Sequence, residues 1–213
     1  MLALFDLDNT LSDRTGAFHR WATAFCGGQG LDQSEVAWLK EADEDGSLDR
    51  PEFFEKVRSR FGLRPTVAEL VAAYAESAPT FHVLDEAVAT GLWGLRAVGF
   101  RLAIVTNAEQ RPQRAKIMKT GLDAWCISGE EGISKPDPRI LHRAAAKVDA
   151  ELTPESWMVG DNPEADIGAA ANAGVRSIWI SRGQVWPKLE FEPTVVAQTV
   201  VEAIEIVVQS PSG

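Results

Sequence analysis

A chain of 213 residues with 45% hydrophobic content can bury one substantial core and a smaller insert, which excludes a disordered protein. Its formal charge of −10, from 31 acidic against 21 basic side chains, opposes binding to nucleic acid or to an anionic membrane. No apolar run reaches the roughly 18 residues that a membrane span needs, and the opening run meets Asp6 without a basic leader, so the expected compartment is cytoplasmic.

The chain opens on Met-Leu-Ala-Leu-Phe and passes directly into Asp6-Leu7-Asp8-Asn9-Thr10-Leu11. An apolar run ending in carboxylates spaced i, i+2 predicts a buried parallel strand that delivers acids to its carboxyl end, the edge where open α/β sheets bind ligands. Burying one carboxylate is costly unless it is paired or holds a metal, and two together cost more. Read alone, the same segment is also a strand end followed by a local turn.

From Arg14 the pattern becomes helical. Phe18, Trp21, Ala22 and Phe25 fall at i, i+3, i+4, i+7 on one face, and Gly27, Gly28 and Gly30 are expected to stop that helix. Further helices are predicted around Gln33 to Ala42, from Pro51 with Phe53, Phe54, Val57 and Phe61, and near Thr66 to Glu76. Residues 14–83 thus read as an all-helical insert, with 1–13 and 84–213 forming a discontinuous α/β core. Within the insert, the stretch from Glu41 to Glu52 imitates a calcium loop, with Gly46 at its sixth position and Glu52 at its twelfth. That imitation supports a rival reading, a calcium-responsive binding module. Against it, Glu stands at the first position, Pro51 intrudes and there is no second loop to pair with.

After Pro79 strands alternate with helices. Ala87 to Ala97 is a predicted helix with Val88, Leu92, Leu95 and Val98 on one face and Gly99 as its stop; Arg101 to Val105 is a strand ending in Thr106-Asn107. A helix follows with Pro112 in its first turn and Ile117, Met118 and Gly121 towards its end. Trp125 to Ser128, Ser156 to Val159 and Ser177 to Ile180 are expected strands. Arg139 to Val148, Ala165 to Ala173 and about Thr199 to Val208 are expected helices, and Ser210 to Gly213 a loose tail. This alternation implies a parallel sheet with helices on both faces. Cys26 and Cys126 lack metal-ligand spacing and read as core thiols.

Three later segments fall at predicted strand ends or between them. Thr106 offers a hydroxyl that, with nearby backbone N–H groups, suits a phosphoryl oxygen; the plainer reading of Thr106-Asn107 is a strand end entering a turn. Lys135 sits in Gly132-Ile-Ser-Lys135-Pro-Asp-Pro138, where the prolines stiffen the segment and present the ammonium between strand ends. In Met158-Val-Gly160-Asp161-Asn-Pro-Glu164-Ala-Asp166, Asp161 lands at another strand end and Asn162 suits a helix cap. Glu164 and Asp166 there read either as complements of the helix dipole or, for Asp166, as part of the site. Asp6, Asp8, Asp161 and Asp166 against one lysine call for a hard cation with oxygen ligands, and Mg²⁺ is the natural choice.

These four segments, in this order, resemble the motifs of the haloacid dehalogenase superfamily, and specifically its phosphatase branch. Asp6-Leu-Asp8-Asn-Thr10 is similar to the first motif, Thr106-Asn107 to the second, Lys135 to the third, and Gly160-Asp161 with Asp166 to the fourth. The resemblance implies a Rossmann-like core with a helical cap inserted after strand one, and an Mg²⁺-dependent phosphatase acting on a small phosphorylated metabolite. It assigns Asp6 as nucleophile forming an aspartyl-phosphate and Asp8 as proton donor and then base. Thr106, Asn107 and Lys135 become the phosphate-binding set. Asp6, the backbone carbonyl of Asp8 and Asp161 would bind the metal, with Asp166 as ligand or support. An acid at position 8 separates this chain from the dehalogenase and phosphonatase branches, while a phosphomutase of the same superfamily stays open. Phe18, Arg20, Trp21 and Phe54 are candidate contributors to specificity, Phe18 and Trp21 being expected mainly to pack within the insert.

Overall fold

The computed structural model describes residues 1–108 and 110–210, with the backbone alone at 110–112. Six short strands lie in it: β1 (Leu2–Phe5), β2 (Arg101–Thr106), β3 (Trp125–Ile127), β4 (Trp157–Gly160), β5 (Arg176–Ile180) and β6 (Val195–Ala197). They form one sheet in the order β3-β2-β1-β4-β5-β6, every pair parallel. The chain runs outward from β1 through β2 to β3, then returns to the other side of β1 as β4. The strand order therefore reverses at β1 and β4, the kind of place where such sheets hold ligands.

The chain divides into two compact units, one of Met1–Ser12 with everything from Leu84 onward, the other Asp13–Val83. The second is helical: α1 (Arg14–Gln29), α2 (Glu35–Ala42), α3 (Arg50–Phe61) and α4 (Val67–Ser77). Asp13 caps α1 by accepting from Gly16 N–H, and Thr66 with Glu69 forms a reciprocal capping box on α4. Phe18, Trp21, Phe53 and Phe54 are buried together, and Tyr74 packs on Trp21 with ring centroids 4.8 Å apart. Phe54 is thus a core residue of this unit, as are Phe18 and Trp21, and Arg20 donates to the Phe81 carbonyl. One detail differs from expectation. Gly27 and Gly28 lie inside α1, which ends only at Gly30, where φ of 65° suits a residue without a side chain.

The acidic stretch from Glu41 to Glu52 bears on the rival calcium reading. Asp43 is buried, and its two oxygens face Arg14 at 2.6 Å and Arg50 at 2.7 Å. Two guanidinium groups answer its charge in place of a cation, while Glu41, Glu44, Asp45, Asp49 and Glu52 are exposed. Among the described residues, the three acids able to converge on one ion lie elsewhere.

The first unit adds α5 (Glu86–Ala97), α6 (Gln110–Thr120), α7 (Ser128–Glu131), α8 (Arg139–Ala146), α9 (Gly168–Ala173) and α10 (Val200–Gln209). Alternate residues of β1 enter opposite layers: Ala3 and Phe5 join Val88, Leu92 and Leu95 of α5, and Leu2 and Leu4 join Ile140 and Leu141 of α8 and Ala169 of α9. Both faces of the sheet are covered, as the unbroken apolar strands predict. Val98, expected on the apolar face of α5, is exposed; it sits at the end of the helix, Gly99 turns the chain with φ of 95°, and Phe100 takes the buried place. Pro112 is the third residue of α6 and its side chain lies outside the described set, as do residues 211–213 of the expected tail. Asn162 caps the turn before α9, accepting from Ala165 N–H at 2.8 Å, and Pro163 opens that turn. No helix among the described residues is long and apolar enough to cross a membrane.

Replacing Asp43 by Ala leaves two arginines with no shared counter-charge. Urea unfolding is expected to register a loss of about 3 kcal/mol, and adding Ca²⁺ to the wild-type protein is expected to leave its melting temperature unchanged. A calcium-induced rise in melting temperature that D43A abolishes would revive the loop as a cation site.

Candidate active site

Three neighbouring strands end in polar residues at one edge. Phe5 of β1 lies in register with Ile104 of β2 and Val159 of β4, and Asp6 N–H donates to the Val159 carbonyl at 2.8 Å, extending the ladder by one residue. Beyond it the chain turns sharply. Asn9 adopts φ of 61°, a conformation that Asn tolerates better than most residues, and Ser12 N–H returns to the Leu7 carbonyl. Leu7 and Leu11 anchor this turn in the core.

Asp6, Asp161 and Asp166 converge: each offers a carboxylate oxygen within 4.8 Å of the others. Asp166 is 1% exposed, arrives on the turn Pro163–Ile167, and accepts from Asn162 N–H at 2.9 Å. Close approach at position 160 is needed for this, because a Cβ there would stand 2.2 Å from Asp166 Oδ2. The dipole-complement reading therefore fits exposed Glu164 and not Asp166, which is turned inward.

The Lys135 ammonium enters this cluster. Its Nζ lies 2.6 Å from Asp6 Oδ1, 2.6 Å from Asp166 Oδ1 and 2.6 Å from the Val105 carbonyl. Stiffening by proline is only part of how it is presented. Asn107 Nδ2 donates to the Lys135 carbonyl and Asn107 Oδ1 accepts from Lys135 N–H, both at 2.8 Å. The Asn107 side chain, expected on the phosphate, is thus engaged with the backbone of the lysine segment.

Three carboxylates face the Lys135 ammonium and the Arg182 guanidinium, so negative charge is in excess. Burial holds the Asp6 carboxyl well above its usual range against the opposing pull of Lys135, with Asp166 and Asp161 adding to the rise. Asp161 is pushed up to about 7, first by burial and next by the charge of Asp166, while Arg182 at 3.2 Å opposes. For Lys135, burial disfavours the ammonium, but Asp166 and Asp6 outweigh it and hold the group charged. Oxygen-only donors with uncompensated charge suit a hard dication.

Asp8 stands outside that cluster. Its oxygens lie 2.7 and 2.9 Å from Lys116 Nζ, and Oδ2 accepts from Gln113 Nε2 at 2.8 Å. The same Gln113 amide donates to Thr106 Oγ1 at 2.9 Å, which leaves the hydroxyl proton of Thr106 for another acceptor. The sequence reading missed Gln113, Lys116 and Arg182. The spacing of Gln113, Lys116, Ile117 and Thr120 at i, i+3, i+4, i+7 marks one helix face, a signal available for the first two; Arg182 carried none.

Replacing Lys135 by Met leaves Asp6 and Asp166 buried without their counter-ion. In metal-free buffer this is expected to lower stability by about 3 kcal/mol in urea unfolding. Unchanged stability would mean that the ammonium does not neutralise the cluster.

Comparison with known proteins places these features in context. The model of the haloacid dehalogenase-like hydrolases matches residues 1–174. The chain is 33% identical over 182 residues to a phosphoserine phosphatase of Thermus thermophilus, covering 80% of this chain and 71% of that one. It is 30% identical over 199 residues to a glyceraldehyde 3-phosphate phosphatase of Methanopyrus kandleri, covering 85% and 84%. Its fold is similar to that of a magnesium-bound HAD-hydrolase of Bacillus subtilis, YfnB, with a TM-score of 0.79 at 22% identity over 97% of each chain. With its acids and lysine at the ends of parallel strands and a family match spanning most of its length, the chain belongs to the haloacid dehalogenase-like hydrolases.

Proposed function

We propose that this hydrolase is an Mg²⁺-dependent phosphatase that removes phosphate from a small phosphorylated metabolite through a phosphoenzyme at Asp6. The observation that carries the reading is the buried Asp6 carboxylate at the switch point of the sheet, gripped by Lys135 and within 4.8 Å of Asp161 and Asp166. The phosphatase relatives from Thermus thermophilus and Methanopyrus kandleri support a phosphoric monoester as substrate. A net charge of −10 repels such a substrate at long range, which a local cation offsets.

An Asp6 oxygen attacks phosphorus, the ester P–O bond breaks, and Asp8 gives its proton to the departing alkoxide. Asp8, now a base, takes a proton from water as the water oxygen attacks the same phosphorus. The bond to Asp6 then breaks, restoring the carboxylate and releasing inorganic phosphate. Thr106 donates its hydroxyl proton to the transferring group, and Lys135 holds both that group and Asp6. Asp6, Asp161 and the backbone carbonyl of Asp8 hold the dication, with Asp166 as ligand or support. When bound, the metal supplies charge neutralisation for the phosphoryl oxygens. The helical insert 14–83 is the cap that sets substrate choice.

The test is phosphate release from a panel of esters with and without Mg²⁺: O-phosphoserine, glyceraldehyde 3-phosphate, phosphoglycolate, sugar phosphates and 5′-nucleotides. Release is expected with Mg²⁺, lost on chelation by EDTA and regained on adding the metal back. Asp6→Asn is expected to lower kcat by ~10⁴-fold or more while the fold is kept. Turnover in that variant within an order of magnitude of wild type would falsify the nucleophile assignment. Transfer of phosphate between positions of a sugar, without release, would favour the phosphomutase reading.

A further inference from the structure

The contacts made by α6 point beyond the four motifs. Its inner face carries two kinds of residue. Ile117 and Thr120 are buried and seat the helix on the core. Gln113 and Lys116, one turn nearer its start, are also withdrawn from solvent, Gln113 at 1% exposure and the Lys116 side chain at 11%. An amide and an ammonium are costly to bury, and a helix that needed only to pack would place apolar side chains there. Both instead reach the same carboxylate, that of Asp8, which follows β1 and is 108 residues away from Lys116 in sequence.

The geometry is specific. Lys116 Nζ spans both oxygens of Asp8, at 2.7 and 2.9 Å, which restricts the orientation of the carboxyl group. Gln113 divides the two protons of its amide between Asp8 Oδ2 and Thr106 Oγ1. One side chain therefore sets the proton carrier and the phosphate-holding hydroxyl relative to each other. Gln113 Oε1 is buried with no hydrogen-bond partner among the described residues.

We propose that Gln113 and Lys116 are positioning residues for the reaction: a clamp from α6 that holds Asp8 where a leaving oxygen and an incoming water can both be served, and that couples this placement to Thr106. The inference rests on the reading of Asp8 as proton donor and base. It adds two residues to the machinery and assigns α6 a role beyond covering the sheet. Neither residue is placed in contact with substrate; both act through Asp8 and Thr106.

The test is a kinetic cycle on the full-length enzyme with Mg²⁺, using the panel ester that the wild type hydrolyses fastest. Lys116→Met is expected to lower kcat by ~10–100-fold with KM within about twofold, the pattern of a misplaced catalytic group. Lys116→Arg, which keeps the charge and two donors, is expected to recover most of the loss. Gln113→Met should lower kcat in the same way. In an Asp8→Asn background, Lys116→Met is expected to change the residual rate by less than about twofold, because the group it positions is already lost. Circular dichroism and melting temperature identify any variant that fails to fold, and the Arg variant then carries the comparison. Wild-type kcat in Lys116→Met, or an equal fall in both backgrounds, would overturn the clamp and leave α6 with a structural role. Wild-type kcat in Asp8→Asn alone would instead remove the reading of Asp8 on which the clamp depends.

Discussion

The structure around the site depends on a single buried ammonium. Lys135 Nζ meets Asp6, Asp166 and the Val105 carbonyl at 2.6 Å each, drawing together the last residues of β2 and the segments that follow β1 and β4. Without a cation at that point, two carboxylates with little access to water would repel each other across the sheet edge. The lysine and Arg182 together do not balance all three acids, and negative charge is left over at the strand ends. The position of Lys135 is fixed from behind by the Asn107 side chain, which clips the lysine backbone from both sides. One residue of the second motif thus serves the third.

Topology makes this convergence possible. Because β1 lies between β2 and β4, residues 6, 106 and 161 leave the sheet side by side although they are far apart in the chain. Backbone hydrogen bonding sets their heights, and the alternation of side chains along β1 turns Asp6 to the layer of α8, from whose lead-in Lys135 comes. Polar groups on such a rim need little further positioning, since the strands behind them are buried on both faces. Asp8 is the exception. It follows a tight turn beyond the last ladder bond, and its carboxylate is held by side chains of α6.

Much of this was legible in the sequence, for identifiable reasons. Acids directly after apolar runs mark strand ends, so Asp6 and Asp161 could be placed without a structure. The aromatic stripe from Phe18 to Trp21 marked a helix that packs within its own unit. What escaped was of two kinds. Local rules erred where packing overrode them: Gly27 and Gly28 continue α1, and β6, only three residues long and shortly after Pro193, gave too little pattern to read. Long-range contacts escaped because a local pattern can mark a helix face without telling what that face meets. Gln113 and Lys116 look like ordinary polar positions on a helix until the fold brings them to Asp8, and Asp43 looks like a calcium ligand until Arg14 and Arg50 are seen beside it.

The chemistry assigned to the site turns on whether the desolvated Asp6 carboxylate itself accepts the phosphoryl group. The direct measurement is an acid quench of the enzyme during turnover, reduction with borodeuteride, and peptide mass mapping. Conversion of residue 6 to deuterium-labelled homoserine, dependent on substrate, is the expected result. Steady turnover with Asp6 unmodified under the same quench, or with the label on another residue, would contradict it.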